Sequence, residues 1–364
     1  LVAGDVRVSA EVGLTKTGLD HAPKKRLVLH VGPHKTGSTY LQHRLLKTRE
    51  TLQAHGWVYP ELGLRQFAHH RIHQWLIGNT ASAGDVTEAA FLDMVSSNDR
   101  VILSSEDFVY LTPDRLRRLH ALLPGTDVEI VYFIRTPVFL WPSHWQELIR
   151  WGRDDTLLEY LASFAGWTKT FEPASMNPLV HLTKYADVFG RQALRLICYD
   201  NVVEEGGDIF DFFWNEILGL TEVAAPGDTR IIHPSQPLHM IEMLRSLNQL
   251  YRERSGKSPS DRILATYQKQ QKSIEGSVAY DGFKSAFIEH ASEVRLSSRH
   301  ETIRIQERKL VTSFGDRIIN KVSDERLFIR DAFERTLPYA QRYWTEKFGF
   351  GNYIGMVLAG LEVE

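Results

Sequence analysis

Arg26-Leu27-Val28-Leu29-His30-Val31-Gly32-Pro33-His34-Lys35-Thr36-Gly37-Ser38-Thr39 is the stretch on which the fold turns. Arg26 to Val31 is a short β-type run that stops at Gly32-Pro33. A helical pattern follows, with Leu41, Leu45 and Leu52 on one face and Gly56 as a stop. A loop from strand to helix leaves backbone N–H groups unpaired at the positive end of the helix dipole. Gly32 and Gly37 carry no side chain to block an approaching anion. Lys35 adds a full charge, and Thr36, Ser38 and Thr39 add hydroxyl donors. The pattern suits a phosphate or a sulfate. The plainer reading is a Gly/Thr-rich helix cap with an incidental Lys.

Outward from the loop, Trp57-Val58-Tyr59 reads as a second short strand closed by Pro60, and Val101-Ile102-Leu103 as a third. Val128 to Ile134 is the strongest strand in the chain; Leu194 to Tyr199 reads as a strand and Ile209 to Leu218 as a helix. Short, continuously apolar strands separated by helical stretches indicate an α/β fold of the P-loop type, a central parallel sheet with helices on both faces. Residues 1–24 read as a tail and 25–235 as the α/β core. From 236 to 364 the texture is helical, with Met240, Met243, Leu244, Leu247 and Leu250 at helical spacing. No convincing strand is expected there, and the segment reads as a helical extension or cap.

The chain has 364 residues, of which 43% are hydrophobic and 24% charged, ordinary for a globular protein. Its 43 Lys+Arg against 45 Asp+Glu leave −2, which excludes bulk attraction to nucleic acid but allows a local anion site. The single Cys198 makes neither an intrachain disulfide nor a thiolate metal cage. No run approaches the roughly 20 apolar residues of a membrane span. Leu1 to Pro23 lacks the apolar core of a secretory signal. The expectation is a cytoplasmic protein, with peripheral membrane contact left open.

A Walker A loop reads G-x-x-x-x-G-K-[ST], with Lys after the second Gly. Gly32 and Gly37 have that spacing, but Ser38 stands at the Lys position and the Lys lies two places before the second Gly. Val128 to Ile134 ends in Arg135 rather than a Walker B Asp. The usual Mg²⁺ arrangement is missing, so a metal-independent transfer is expected. Gly32-Pro33-His34-Lys35-Thr36-Gly37-Ser38-Thr39 resembles the 5′-phosphosulfate loop of sulfotransferases that use 3′-phosphoadenosine 5′-phosphosulfate (PAPS). It is most like that of the Golgi glycan enzymes and bacterial relatives, G-P-x-K-T-G-T-T. Cytosolic small-phenol enzymes read P-K-[ST]-G-T-T-W, and Tyr40 stands where they have Trp.

That resemblance implies a second cationic anchor, an R-x-P followed by Ser, for the 3′-phosphate. Arg135-Thr136-Pro137 with Ser143 matches it. Arg135 would leave the carboxyl end of a strand, where ligands of open α/β sheets collect, and its planar fork suits phosphate oxygens. A surface Arg and a solvated Ser is the plainer alternative. The resemblance also implies that Lys35 sits near the bridging oxygen of the leaving phosphate, with Lys35, Thr36, Gly37, Ser38 and Thr39 holding the cofactor.

A carboxylate or His must then take the acceptor's proton. Glu61, after the second strand, and Glu106, in Ser104-Ser105-Glu106-Asp107 after the third, lie near where relatives place such a group. The Golgi enzymes carry E-K-[ST]-P there, and the Lys is absent here. His69, His70 and His73 form a third cluster. It lacks an H-E-x-x-H pattern, so no metal is expected, and His70 is a candidate for the base or for touching the acceptor. Trp141, Trp145 and Trp151 fit either core packing or a wall for a sugar ring. Ser235 reads as a helix N-cap.

The expected activity is therefore sulfuryl transfer from PAPS to a hydroxyl or amine, leaving adenosine 3′,5′-bisphosphate. The acceptor is expected to be a glycan, with a peptide tyrosine or a lipid headgroup as alternatives. The rivals are a P-loop kinase of a small metabolite and a non-catalytic nucleotide-binding protein.

Overall fold

The computed structural model describes residues 24–167, 176–224, 227 and 236–363. The stretch read as a tail, apart from Lys24, and Ser235 lie outside them. Four of the apolar runs form one parallel sheet: β1 (Arg26–His30), β2 (Arg100–Ser104), β3 (Asp127–Ile134) and β4 (Leu194–Cys198), in the order β2-β1-β3-β4. Leu27, Leu29, Val101, Leu103, Ile130 and Tyr132 belong to one apolar cluster. Their sequence neighbours Val28, Ile102, Val131 and Phe133 belong to another. Successive side chains leave opposite faces of a strand, so the sheet is the middle of three layers. Burial on both faces is why these strands read as unbroken apolar runs.

Helix α1 (Ser38–Lys47) puts Leu41 and Leu45 into the second of these layers, and Leu52 follows from the next short helix. Trp57-Val58-Tyr59 corrects the expected strand. Only Val58 bridges to β2, through Val58 N–H to Arg100 O and Ile102 N–H to Val58 O at 2.9 and 2.8 Å. Pro60 brings no N–H to extend the ladder, and the flanking Trp57 and Tyr59 are buried as core. Helix α2 (Pro137–Arg150) follows β3 and starts on a proline, whose fixed φ suits a first turn.

Beyond residue 236 the expectation of helices alone is corrected. Helices α3 (Leu238–Ser255), α4 (Asp261–Glu275) and α5 (Glu301–Phe314) are present. So is an antiparallel pair, β5 (Ser292–Ser297) with β6 (Glu334–Tyr339). In β5 the exposed Glu293 and Arg295 alternate with half-buried Ser292, Val294 and Leu296. Such a half-solvated strand carries no apolar run for the eye to find, and Pro338 in β6 reads as a breaker. Among the described residues no helix is long and apolar enough to cross a membrane.

The C-terminal third divides between two cores. Helices α3 and α4 pack with Trp145 and Ile149 of α2 and with Leu337 and Tyr339. Ile303, Leu310 and Phe314 of α5, with Leu327 and Phe333, join the layer that holds Leu29 and Leu196. Two asparagines fasten this second part to the sheet. Asn320 accepts from Cys198 N–H at 2.7 Å and donates to Cys198 O at 3.0 Å. Asn201 donates to the carbonyls of Asn320 and Leu327, both at 2.8 Å, and accepts from Ile329 N–H at 2.9 Å. Leaving buried backbone groups unpaired costs about 1–3 kcal/mol each. Asn201→Ala is therefore expected to destabilise the fold by at least about 2 kcal/mol in urea titration. An unchanged midpoint would remove this role.

Candidate functional site

In the order β2-β1-β3-β4 the chain moves to one side of β1 and then returns to the other. The crevice at the carboxyl ends of β1 and β3 is thus the place where such sheets receive ligands. A cleft of about 280 Å³ lies there. All four strand ends contribute to it: Lys35 and the α1 start after β1, Glu106 after β2, Arg135 and α2 after β3, and Tyr199 after β4.

The loop after β1 owes its shape to three positive-φ residues, Gly32 (89°), Lys35 (66°) and Gly37 (77°). A Cβ on Gly32 would stand 3.0 Å from the backbone of Glu106, and one on Gly37 would run into Ile209. Thr36 and Ser38 donate their hydroxyls to Pro33 O at 2.7 and 3.1 Å, tying the loop to itself. Gly37 stands at the α1 N-cap, where no side chain caps the helix. The first-turn N–H groups are thus open at the positive end of the dipole, an anion site with Lys35 beside it.

Arg135 links the two strand-end turns. Its guanidinium donates to the Lys35 carbonyl, its Nε lies 3.8 Å from Asp200 Oδ1, and it stacks over Tyr199 at 5.1 Å. Asp200 also accepts from Thr136 N–H at 2.6 Å. Burial pushes the Asp200 carboxyl up to about 6, against the pull of Thr136 and Arg135. Ser143 lines the cleft, its hydroxyl donating to Phe139 O at 2.8 Å in its own helix.

Lys35 Nζ stands 3.5 Å from Glu147 Oε2. Burial lowers the ammonium's pKa, Glu147 opposes this, and Arg150 and Arg135 push the same way as burial. His34 lies 3.7 Å from both Glu147 and Asp107. Burial disfavours its charge, but the two carboxylates prevail and raise it to about 9. His70 Nδ1 meets Asp107 Oδ2 at 2.7 Å. Burial again opposes the charge, and Asp107 and Glu106 raise the ring's pKa nonetheless. A chain of alternating charge therefore runs Lys35, Glu147, His34, Asp107, His70.

Of the residues singled out from sequence, the cleft collects Lys35, Gly37, Ser38, Thr39, Glu106, Arg135 and Ser143. Glu106 accepts from Gln42 Nε2 at 2.7 Å. Thr36 is buried behind the loop, and His70 is joined to the cleft through Asp107 and His34. Glu61 is outside its wall, with 81% of its side chain exposed and Arg49 Nη1 at 2.8 Å. His69 is wholly buried between Pro60 O and Ser104 N–H, and burial lowers it to about 4. Trp145 is core, Trp141 packs on two clusters, and Trp151 is 56% exposed, edge-on to His34.

Sequence reading missed His34, Glu147 and Arg150. The signal for two of them was present: Ser143, Glu147 and Arg150 lie at i, i+4 and i+7, one face of α2.

No protein-family model matches the chain, and no curated protein matches it. Among solved structures, a sulfotransferase from Alicyclobacillus acidocaldarius is similar at 19% identity, over 57% of this chain and 86% of that one, with a TM-score of 0.36.

The His34 ring gives a pH test. Its folded value lies above the ordinary 6.5, so its stabilisation is complete below about pH 6.5 and fades as the pH rises through about 9. In thermal melts, wild type should exceed His34→Gln most near pH 6 and the gap should close toward pH 10. A gap independent of pH would show that the ring is not charged here.

Proposed function

We propose that the chain is a sulfotransferase that moves a sulfuryl group from PAPS to an acceptor hydroxyl or amine. One observation carries the reading: an uncapped helix start with Lys35, and Arg135 with Ser143, face a single cleft from two adjacent strand ends. The residues fit a doubly anionic nucleotide. Lys35, Arg135, Arg150 and a charged His34 outnumber Glu106 and Glu147 around the cleft, in a protein of net charge −2.

When bound, PAPS supplies a sulfuryl group on a phosphate leaving group. The α1 N–H groups, Ser38 and Thr39 would hold the 5′ end, and Arg135 with Ser143 the 3′-phosphate. Lys35 would neutralise charge on the leaving oxygen, where a preorganised cation counts most. Glu106 is our choice of base, supported by its position in the cleft wall; it would take the proton that the acceptor oxygen or nitrogen loses as its bond to sulfur forms. Glu147, paired with Lys35, would keep the ammonium oriented until an anion competes for it. The acceptor we favour is a sugar, on the likeness of the loop to glycan-modifying enzymes.

Lys35→Ala is expected to lower kcat with PAPS by about 10²–10³-fold. Glu106→Gln should lower it by about 10²–10⁴-fold while leaving affinity for adenosine 3′,5′-bisphosphate intact. Arg135→Ala should weaken adenosine 3′,5′-bisphosphate about tenfold or more relative to adenosine 5′-phosphate in calorimetry. The ratio is the readout, because Arg135 also props the loop. Equal losses for the two nucleotides would defeat the 3′-phosphate anchor, and no affinity for either in folded protein would defeat the function.

A further inference from the structure

Arg150 ends α2 and lines two cavities. One is the cleft just described. The other, of about 420 Å³, lies against α3 and α4. Its polar wall is three amides, Gln236, Gln268 and Gln271; its apolar wall is Leu244, Leu264 and the ring of Tyr267. Among the described residues no carboxylate lines it. The amides and Arg150 form a chain: Arg150 Nε donates to Gln236 Oε1 at 3.3 Å, and Gln236 Nε2 donates to Gln271 Oε1 at 3.1 Å. Among the described residues the terminal nitrogens of Arg150 meet no protein acceptor, and its planar fork is tethered through Nε.

An amide carries both donors and an acceptor, as does a sugar hydroxyl, and a ring with two leucines offers the flat apolar face that one side of a sugar covers. A peptide tyrosine would need an apolar slot with one polar end, not three amides. We propose that the cavity between α2, α3 and α4 is the acceptor pocket, that it takes an uncharged sugar ring, and that Arg150 is the positioning residue at its junction with the donor cleft. This rests on the sulfotransferase reading and adds to it where the acceptor sits and which groups select it.

The test uses binding, so it does not depend on turnover. The full chain, saturated with adenosine 3′,5′-bisphosphate, is titrated with chito-, cello- and N-acetyllactosamine oligosaccharides and followed by saturation-transfer NMR and calorimetry. At least one series should bind. Gln271→Leu should weaken it about threefold to tenfold, and Gln268→Leu, at an exposed position on α4 where folding is not at stake, should weaken it too. Affinity for adenosine 3′,5′-bisphosphate should stay within a factor of two in both variants. Sugar binding indifferent to both substitutions would overturn the location. Nucleotide binding without any sugar binding would overturn the ligand class and leave the sulfotransferase reading standing. Absence of nucleotide binding would bring down that reading, and this one with it.

Discussion

The guanidinium of Arg135, reaching from the end of β3 to the carbonyl of Lys35, makes one site out of two strand ends. Parallel strands that run side by side deliver their following loops to the same edge, but nothing in the sheet ladder fixes those loops against each other. Here the Arg135 side chain contributes to doing so, with Asp200 behind it and Tyr199 beneath it. That link holds the carbonyl of the left-handed Lys35, while Phe133 N–H to Gly32 O at 3.1 Å holds the start of the loop. Because the same group lines the cleft, one of the cleft's cations already has a structural duty.

The cleft's charge balance follows from this arrangement. Cations gathered at one edge repel one another unless carboxylates are interleaved, and Glu147 and Asp107 are placed between them. Alternation spreads the field without cancelling it. Glu147 touches both Lys35 and His34, so a change of charge at either is felt by the other.

Much of the fold was legible in the sequence. Four of the five strands expected in the core are present because burial on two faces leaves an unmistakable apolar run. The turn from strand to helix was legible because Gly32 and Gly37 stand where the chain takes a positive φ. What stayed hidden has physical causes. Glu61 and Glu106 look alike in sequence, each just past an apolar stretch, yet only β2 is a full strand whose end opens on the cleft. Trp57-Val58-Tyr59 bridges the sheet at a single residue, and Glu61 turns out to solvent. Glu147 and Arg150 needed the helical face of Ser143 to be followed for two more turns. Strands β5 and β6 solvate one side and interrupt their pattern with charge, so period two is diluted below notice.

The clasp of Asn320 on Cys198 has a consequence for how the molecule is made. β4 has β3 on one flank, and among the described residues its other flank is met by Ile318, Ile319 and Asn320, about 122 residues further along the chain. During synthesis the fourth strand must wait, its edge bare, until residues 318–320 have left the ribosome. An unprotected edge is a template for adding another strand. The hazard in producing this protein is therefore a nascent chain stalled or truncated before residue 320, which would display a finished parallel sheet with one open side.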